Sequence, residues 1–302
     1  MYYLEATGII KQYEHHLALD GVTVQVPENS VYGLLGPNGA GKSSLIRIIN
    51  QITLPDSGTV CIRNKRITPQ DIARIGYLPE ERGLYPKMKV GEQIVYLARL
   101  KGMSKNDARQ EMLRWLEKLG IGEWETKKTE QLSKGMQQKV QFIATVIHRP
   151  ELLIFDEPFS GFDPVNANVL KQEIRELRET GATFILSTHN MTSVEELCDE
   201  ISLIHRAKVV LSGRVDEIKE RYKKNIFRIR TETALPEPGP SGEYRIIESW
   251  ENGRFTESII RKNDAVDTPT LISHLARSAR LSAFEEILPG MEEIFIDAVK
   301  PH

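Results

Sequence analysis

The stretch Gly36-Pro37-Asn38-Gly39-Ala40-Gly41-Lys42-Ser43, followed by Ser44, indicates the fold class of this chain more clearly than its composition does. It lies between a short apolar run, residues 31–35, and a segment in which apolar residues recur at helical spacing. A strand, a glycine-rich loop and a helix in this order form a phosphate-binding loop, because glycines let successive backbone N–H groups turn toward phosphate oxygens. The sequence therefore predicts a nucleoside triphosphate site at residues 36–44. Lys42 would contact the β- and γ-phosphates, and the Ser43 hydroxyl would ligate Mg²⁺.

Two carboxylates follow a second apolar run, residues 152–155. Consecutive apolar residues of this kind indicate a strand that is buried on both faces. Asp156 and Glu157 come at the end of that strand, where side chains emerge beside the phosphate loop. We expect Asp156 to hold Mg²⁺ and Glu157 to be the general base that polarises the attacking water.

Strand-like and helix-like segments alternate through the first 222 residues. Residues 3–10 and 22–26 are predicted strands, residues 88–148 are mostly helical, and residues 184–187 form a further buried strand. Residues 164–179 have the pattern of a helix, with Asp163 as its N-cap and proline at its first position. This alternation favours an α/β fold with a mainly parallel sheet wrapped by helices.

The composition changes after about residue 222. Proline and glycine at residues 234–242 indicate a loop, strand-like runs occupy 226–230, 244–250 and 255–260, and residues 271–276 and 291–299 look helical. We therefore expect two domains, residues 1–222 and a small α+β domain at residues 223–302. The second domain is either a regulatory or dimer-supporting module or a stabilising cap on the first.

The overall composition restricts the function. The net charge of -2 does not indicate nucleic-acid binding, for which an excess of basic residues is typical. Cys61 and Cys198 are too far apart in the sequence to form a metal-binding motif. No apolar run approaches the length of a membrane span, and the first residues lack the pattern of a signal peptide. We expect a cytoplasmic protein that reaches a membrane only through a partner.

The stretch Leu132-Ser133-Lys134-Gly135-Met136-Gln137-Gln138 resembles the LSGGQ signature of ATP-binding-cassette (ABC) ATPases. The other motifs occur in the order of that family, and the resemblance covers residues 1 to about 220. It implies that the triphosphate is ATP, bound with Mg²⁺. It also implies a P-loop NTPase cassette with a RecA-like sheet, N-terminal antiparallel β strands and a helical subdomain at about 88–148.

The resemblance implies site residues beyond the loop and the acidic pair. These are Tyr13 stacking on adenine, Ser133, Lys134, Gly135 and Met136 contacting the nucleotide of a second subunit, Asp163 in the D-loop 160–163, and His189 reaching the γ-phosphate. Tyr13 has the alternative role of a core side chain. The single phosphate loop requires a second ATPase subunit, which is either another copy or a paralogue.

Two positions depart from the family pattern. Lys134 and Met136 replace glycine and glutamine in the signature, although Ser133 and Gly135 are kept. Lys134 either adds positive charge near the nucleotide or is simply solvated. Glu80 occupies the Q-loop position, where glutamine is usual, and is a candidate metal ligand together with Ser43 and Asp156. Its carboxyl group could also be neutral or turned away from the phosphates.

The run 80–85 and the C-terminal stretch 291–296 are similar to ATPase subunits of ABC-2-type exporters, including the sodium and drug efflux group. That resemblance implies an ATP-hydrolysing subunit at the inner face of the cell membrane. A separate transmembrane permease would contact residues 80–102. The alternative is a cassette ATPase without a permease, acting as a mechanical or regulatory module. Such translation factors carry two cassettes and repair ATPases carry a long coiled-coil insertion, and this sequence has neither.

Overall fold

The strand that precedes the phosphate loop lies inside a central sheet. The structure is a computed structural model and describes residues 1–81, 83–160, 162–236 and 242–300. The chain divides into two units, one comprising residues 1–215 with the residues from Ala298 onward, and the other comprising Asp216–Asp297. Elements of the first unit, in chain order, are β1 Tyr2–Tyr13, β2 His16–Pro27, β3 Val31–Leu35, α1 Lys42–Ile49, β4 Ser57–Ile62, β5 Lys65–Arg66, β6 Ile75–Leu78, α2 Val90–Leu100, α3 Lys105–Lys118, α4 Lys134–Val146, β7 Leu152–Asp156, α5 Pro164–Glu179, β8 Thr183–Thr188, α6 Met191–Leu197, β9 Glu200–His205 and β10 Lys208–Arg214.

The central sheet has the strand order β10-β9-β3-β8-β7-β6, and every neighbouring pair except β10 with β9 is parallel. β3, β7 and β8 are buried along their whole length, as expected for strands covered on both faces. Leu35 pairs with Thr188, and Asp156 pairs with Ser187. The loops that follow these strands therefore leave the sheet at one edge, where ligands bind in open α/β sheets.

An antiparallel sheet of order β2-β1-β4-β5 forms a second layer of the first unit. Its inner residues, such as Leu4, Ile9 and Leu19, share one core with Leu45 and Ile46 of α1 and with Ile154 of β7. Burying α1 between the two sheets fixes the helix that begins at the phosphate loop.

Helices α2, α3 and α4 lie between β6 and β7 in the chain. A chain of edge-to-face aromatic contacts joins Trp115 of α3 to Phe142 of α4, and Phe142 to Phe155 of β7. Such contacts, together with the burial of Ile143, hold α4 against the sheet. The position of α4 matters because the signature stretch begins this helix.

The second unit is an antiparallel sheet of order β12-β13-β11-β14 with helices. α7 Val215–Arg221 runs into it, and its elements are β11 Ile226–Thr231, β12 Tyr244–Asn252, β13 Phe255–Lys262, α8 Thr268–Ala279, β14 Leu281–Ile287 and α9 Met291–Val299. Phe227, Ile229 and Ile260 form its core with Leu271 and Leu275 of α8. The predicted loop 234–242 falls partly on residues 237–241, which lie outside the described residues.

The fold class predicted from the sequence is confirmed: α/β, with a mainly parallel sheet, an N-terminal antiparallel sheet and a helical region. Several strands were not predicted from the sequence, namely β4, β5, β6, β9, β10 and β14. Within the described part of the chain, no helix combines the length and apolar character needed to cross a bilayer.

Candidate nucleotide-binding and hydrolysis site

The phosphate loop has a backbone that only glycine accommodates at two positions. Gly36 and Gly41 have φ angles of 146° and 115°. A Cβ atom on Gly36 would lie 2.2 Å from the carbonyl oxygen of Ile204, and one on Gly41 would lie 2.3 Å from that of Ala18. Glycine is therefore required both by conformation and by the close approach of neighbouring backbone.

Lys42 is a buried cation at the first turn of α1. Its Nζ atom donates hydrogen bonds to the carbonyl oxygens of Gly36, at 2.7 Å, and Pro37, at 3.2 Å. Burial lowers the pKa of Lys42, while the carboxylates of Glu157, Asp156 and Glu80 act in the opposite direction. The ammonium group thus folds back over the loop, where a phosphate could replace the two carbonyl contacts. The positive end of α1 favours an anion at the same place.

Asp156 and Glu157 end β7 next to the loop. The Ser43 hydroxyl donates to Oδ2 of Asp156 at 3.3 Å, which joins the two oxygen groups expected to face a metal ion. Glu157 has a φ of 49°, in the left-handed region that a residue with a Cβ rarely adopts. Such strain costs about 1–3 kcal/mol and persists only where the surroundings enforce it.

Strand β8 and His189, which follows it, supply the contacts that hold Glu157. Its backbone N–H donates to the carbonyl oxygen of Ser187 at 2.9 Å, and the Thr188 hydroxyl donates to Oε2 at 3.3 Å. Nδ1 of His189 lies 2.7 Å from Oε1 of Glu157. The His189 side chain is largely exposed while that of Glu157 is buried, so the imidazole covers the solvent side of the carboxylate. This pair can orient a water molecule and share its proton.

A cavity of about 260 Å³ opens between these groups. Its wall contains loop residues Asn38, Gly39, Gly41, Lys42, Ser43 and Ser44, the carboxylates Glu80, Asp156 and Glu157, and also His16 and Ala18 from β2. The structure therefore places Glu80 beside the loop and the acidic pair, and its role as a metal ligand stays a prediction. Tyr13 is about one-third exposed at the end of β1 and does not line the cavity.

The signature residues lie outside this cavity. Ser133 is the N-cap of α4, and its Oγ accepts from the backbone N–H of Met136 at 3.3 Å. Ser133 and Lys134 are exposed, so this helix end is accessible from solvent. One chain thus leaves the phosphate cavity without a contact from the signature.

The D-loop begins directly beyond the acidic pair. Asp163 caps α5 by accepting from the backbone N–H groups of Val165 and Asn166, both at 3.0 Å. Gly161 of the predicted D-loop is outside the described residues. The carbonyl oxygen of Ser160 accepts from the Gln138 side chain of α4, so the D-loop and the signature helix touch within one chain.

Three residues near the site were not identified from the sequence. His16 and Ala18 line the cavity, and Thr188 contacts Glu157. Thr188 could have been identified from the sequence, because it directly precedes the predicted site residue His189. His16 stands two residues before Ala18, but no pattern in the sequence shows that β2 passes over the phosphate loop.

The donor set fits Mg²⁺ bound together with a nucleotide. Ser43, Asp156 and Glu80 offer only oxygen atoms, the ligands that Mg²⁺ prefers. Among the described residues, no cluster of three or more His, Cys, Asp or Glu side chains could hold a metal ion by itself. In nucleotide sites Mg²⁺ is usually bound by one or two protein oxygen groups together with substrate phosphates and water.

The phosphate loop, the acidic pair after β7 and the helical region carrying α4 together identify an ATP-binding cassette. A family model described as ABC transporter matches residues 19–160, and one described as the C-terminal domain of DrrA1-3-like ATP-binding proteins matches residues 213–299. The chain belongs to the family of ABC transporter ATP-binding proteins, and it is an ATP hydrolase of that type.

Relatives extend over almost the whole chain. The uncharacterized ABC transporter ATP-binding protein YhaQ of Bacillus subtilis is 47% identical over 297 residues, 96% of each chain. The daunorubicin/doxorubicin resistance ATP-binding protein DrrA of Streptomyces peucetius is 31% identical and aligns with 76% of this chain and 71% of its own length. These relatives support the transport role over the alternative of a cassette without a permease.

Solved structures match the cassette part. One described as the ATP-binding subunit of an ABC transporter has a TM-score of 0.68 at 29% identity, covering 73% of this chain and 93% of its own. A nucleotide-free ATP-binding cassette from an ABC transporter has a TM-score of 0.64 at 26% identity, covering 73% and 94%. The resemblance to ABC ATPases predicted from the sequence is therefore confirmed.

Proposed function

We propose that the chain powers export by pairing with a second ATPase subunit so that each nucleotide is held between two cassettes. The observation that carries this proposal is the separation of Ser133 from the phosphate cavity. Ser133 is exposed at the start of α4, whereas the cavity is built from the loop, β2, Glu80 and the acidic pair. A second cassette facing the cavity would complete it with its own Ser133 and Gly135, near the γ-phosphate. Lys134 and Met136 flank this contact.

Export is the direction of transport that the relatives favour. DrrA is named for resistance to daunorubicin and doxorubicin, LnrL of Bacillus subtilis for resistance to linearmycin, and SrtF of Streptococcus pyogenes for lantibiotic transport. DrrA, LnrL and SrtF are respectively 31%, 34% and 30% identical to this chain over about three-quarters of it. The cassette moves no cargo itself, so these names suggest a class of transporter and leave the cargo open.

In hydrolysis, Glu157 acts as the general base. Its carboxylate is fixed by Thr188 and His189, and its buried position excludes most competing water. His189 positions the carboxylate and can turn its exposed ring toward the γ-phosphate. Lys42 neutralises charge that develops on the phosphates. Mg²⁺, held by Ser43 and Asp156, would polarise the phosphate oxygens.

Glu80 is a second carboxylate of the metal environment. It lines the cavity with Asp156 and acts electrostatically on Lys42, so it faces the site and does not point into solvent alone. Because Glu80 lies in the loop after β6, it also couples the metal environment to the signature helix α4. Gln141 of α4 donates to the carbonyl oxygens of Pro79 and Glu81, both at 3.4 Å, which ties the Q-loop to the signature helix.

The permease contacts the groove beside the Q-loop, and this contact holds the subunit at the cytoplasmic face of the membrane. A cavity of about 300 Å³ lies there, with Leu84, Leu97 and Leu100 in its wall. Leu100 is 65% exposed and shares this groove with the other two leucines, and grouped apolar side chains at a surface are typical of protein interaction sites. The domain from residue 223 onward has a regulatory or dimer-supporting role.

The test of the composite site mixes two inactive variants. Ser133→Arg should block hydrolysis while leaving nucleotide binding to one chain intact, and Lys42→Ala should disable the phosphate loop. In a mixed dimer, one site carries both defects and the other carries neither. An equal mixture should recover roughly a quarter of wild-type hydrolysis, since half of the dimers are mixed and each has one intact site.

The control for this experiment is Ser133→Ala, which removes the hydroxyl without blocking the approach of a second chain. It should reduce hydrolysis less than Ser133→Arg. ATP-driven dimer formation is followed in the same mixtures by sizing chromatography. If neither hydrolysis nor dimer formation recovers at any mixing ratio, the two chains do not share their sites.

A further inference from the structure

His16 occupies a place on the wall of the nucleotide cavity that no motif of the sequence accounts for. It lies at the start of β2, and its side chain is exposed and free to meet a ligand. Ala18, two residues further along, also lines the cavity. The pairing of β2 with β1 is irregular at Ala18, and the cavity wall contains both residues, so His16 and Ala18 border the same space.

The position of β2 relative to the phosphate loop shows which part of a nucleotide would meet His16. The carbonyl oxygen of Ala18 lies so close to Gly41 that a Cβ atom there would be 2.3 Å away. His16 is two residues from Ala18, about 7 Å further along the strand and away from the loop. A ligand with its phosphates on the loop therefore extends its ribose and base toward His16.

Tyr13 stands beside His16 on the neighbouring strand. The two residues are paired across β1 and β2, with Glu14 and His15 forming the turn between them. Asp56 holds the end of β1, because its carboxylate accepts from Lys11 Nζ at 2.8 Å and from the backbone N–H of Gln12 at 2.6 Å. The turn thus presents two rings from a fixed strand end.

We propose that His16 is a nucleoside-binding residue, which forms with Tyr13 the part of the site that contacts the base and ribose. This inference rests on the proposed nucleotide site. Histidine rings stack on bases as tyrosine and tryptophan rings do, and they also donate hydrogen bonds to ribose. Nucleotide affinity would then depend on two neighbouring rings and not on a single aromatic residue.

The experiment compares His16→Ala with His15→Ala, an adjacent residue of the same type that is exposed and does not line the cavity. Calorimetry measures the binding of two probes that are not hydrolysed, ADP and inorganic tripolyphosphate. His16→Ala should weaken ADP by roughly fivefold or more, the loss expected for one stacking contact. Tripolyphosphate has no nucleoside, so its affinity should not change, and His15→Ala should leave both affinities unaltered.

The outcomes separate this inference from the function on which it rests. If wild-type protein binds neither probe, the nucleotide site itself is wrong. If wild-type protein binds ADP and His16→Ala binds it equally well, or loses ADP and tripolyphosphate to the same extent, His16 does not contact the nucleoside.

Discussion

At the scale of single residues, Glu157 is held in one position by β8, which contacts its backbone and Oε2, and by His189 after the strand, which contacts Oε1. Its left-handed backbone adds strain that those contacts must offset. A residue fixed in this way is suited to orient water without reorganising during the reaction.

Glu157→Gln should lower ATP hydrolysis by roughly two to four orders of magnitude, the usual contribution of a general base. ATP affinity should be kept, because the amide has the same shape and does not repel the γ-phosphate. The variant should therefore accumulate as an ATP-bound dimer, measured by sizing chromatography with and without MgATP. Hydrolysis near the wild-type rate would show that another group activates the water.

His148 is a second residue with an unusual environment. Burial lowers its pKa to about 4, with a smaller contribution from the charge of Lys101. Its ring nitrogens make no hydrogen bond of normal geometry with the described residues, although the Ile75 carbonyl is close. A histidine with a depressed pKa stays neutral in the folded chain while the unfolded chain binds a proton below about pH 6.5.

The unfolding free energy of the wild type should therefore fall as the pH drops from about 6.5 toward 4, and His148 should contribute roughly 1–2 kcal/mol of that loss at pH 5. His148→Leu cannot take up the proton, so its stability should depend less on pH in this interval. Chemical unfolding at pH 7.5 and pH 5 measures both proteins, with His15→Leu as an exposed control. Equal losses in wild type and His148→Leu would contradict the buried neutral imidazole.

At the scale of elements, a buried amide joins α2 to the segment before the signature helix. Gln93 is fully buried, accepts from the backbone N–H of Tyr85 and donates to the Thr129 hydroxyl at 3.0 Å. The Thr129 carbonyl in turn accepts from Gln137 of α4 at 3.2 Å. A fully satisfied polar network in a core specifies one arrangement of its elements, so α2 and α4 are held in register by these bonds.

Gln93→Leu should destabilise the protein by about 1–3 kcal/mol, because it removes the hydrogen-bond acceptor of the Tyr85 N–H and a partner of the buried Thr129 hydroxyl. Thermal unfolding measures the loss, and hydrogen exchange should show faster opening at residues 85–89 and 127–133. Gln110→Leu, at an exposed position of α3, is the matched control and should have little effect. Unchanged exchange in these two segments would mean that the network does not link them.

At the scale of the whole molecule, the residues proposed to bind or hydrolyse ATP all lie before residue 190, in the first structural unit. The second unit has its own sheet and its own core of Phe227, Ile229, Ile260, Leu271 and Leu275. A sheet that covers one face with a helix can fold independently of its neighbour.

A chain that ends at Tyr222 should fold and bind ADP with the affinity of the full chain. Dimer lifetime or the regulation of hydrolysis should change instead, because the removed part carries no proposed site residue. Circular dichroism and calorimetry with ADP measure the two properties. A truncated protein that is folded and does not bind ADP would show that the second unit contributes to the site.

The elements that could be predicted from the amino-acid pattern are those that depend on neighbouring residues. β3, the phosphate loop, α1 and the helix Pro164–Glu179 with its Asp163 cap follow from neighbouring residues, and the structure has them where the pattern predicts. The reason is that glycine conformations, N-caps and the periods of strands and helices are decided within a few residues.

The contacts between distant segments could not be predicted from the amino-acid pattern. The strand order of the central sheet brings Glu157 to His189 and Thr188, and the second layer places His16, and not Tyr13, on the cavity wall. β9 and β10 have no strong strand pattern of their own in the sequence, and they form strands through their pairing with each other and with β3. These features arise from packing between residues far apart in the chain, and strand preference is set by such neighbours more than by the residue itself.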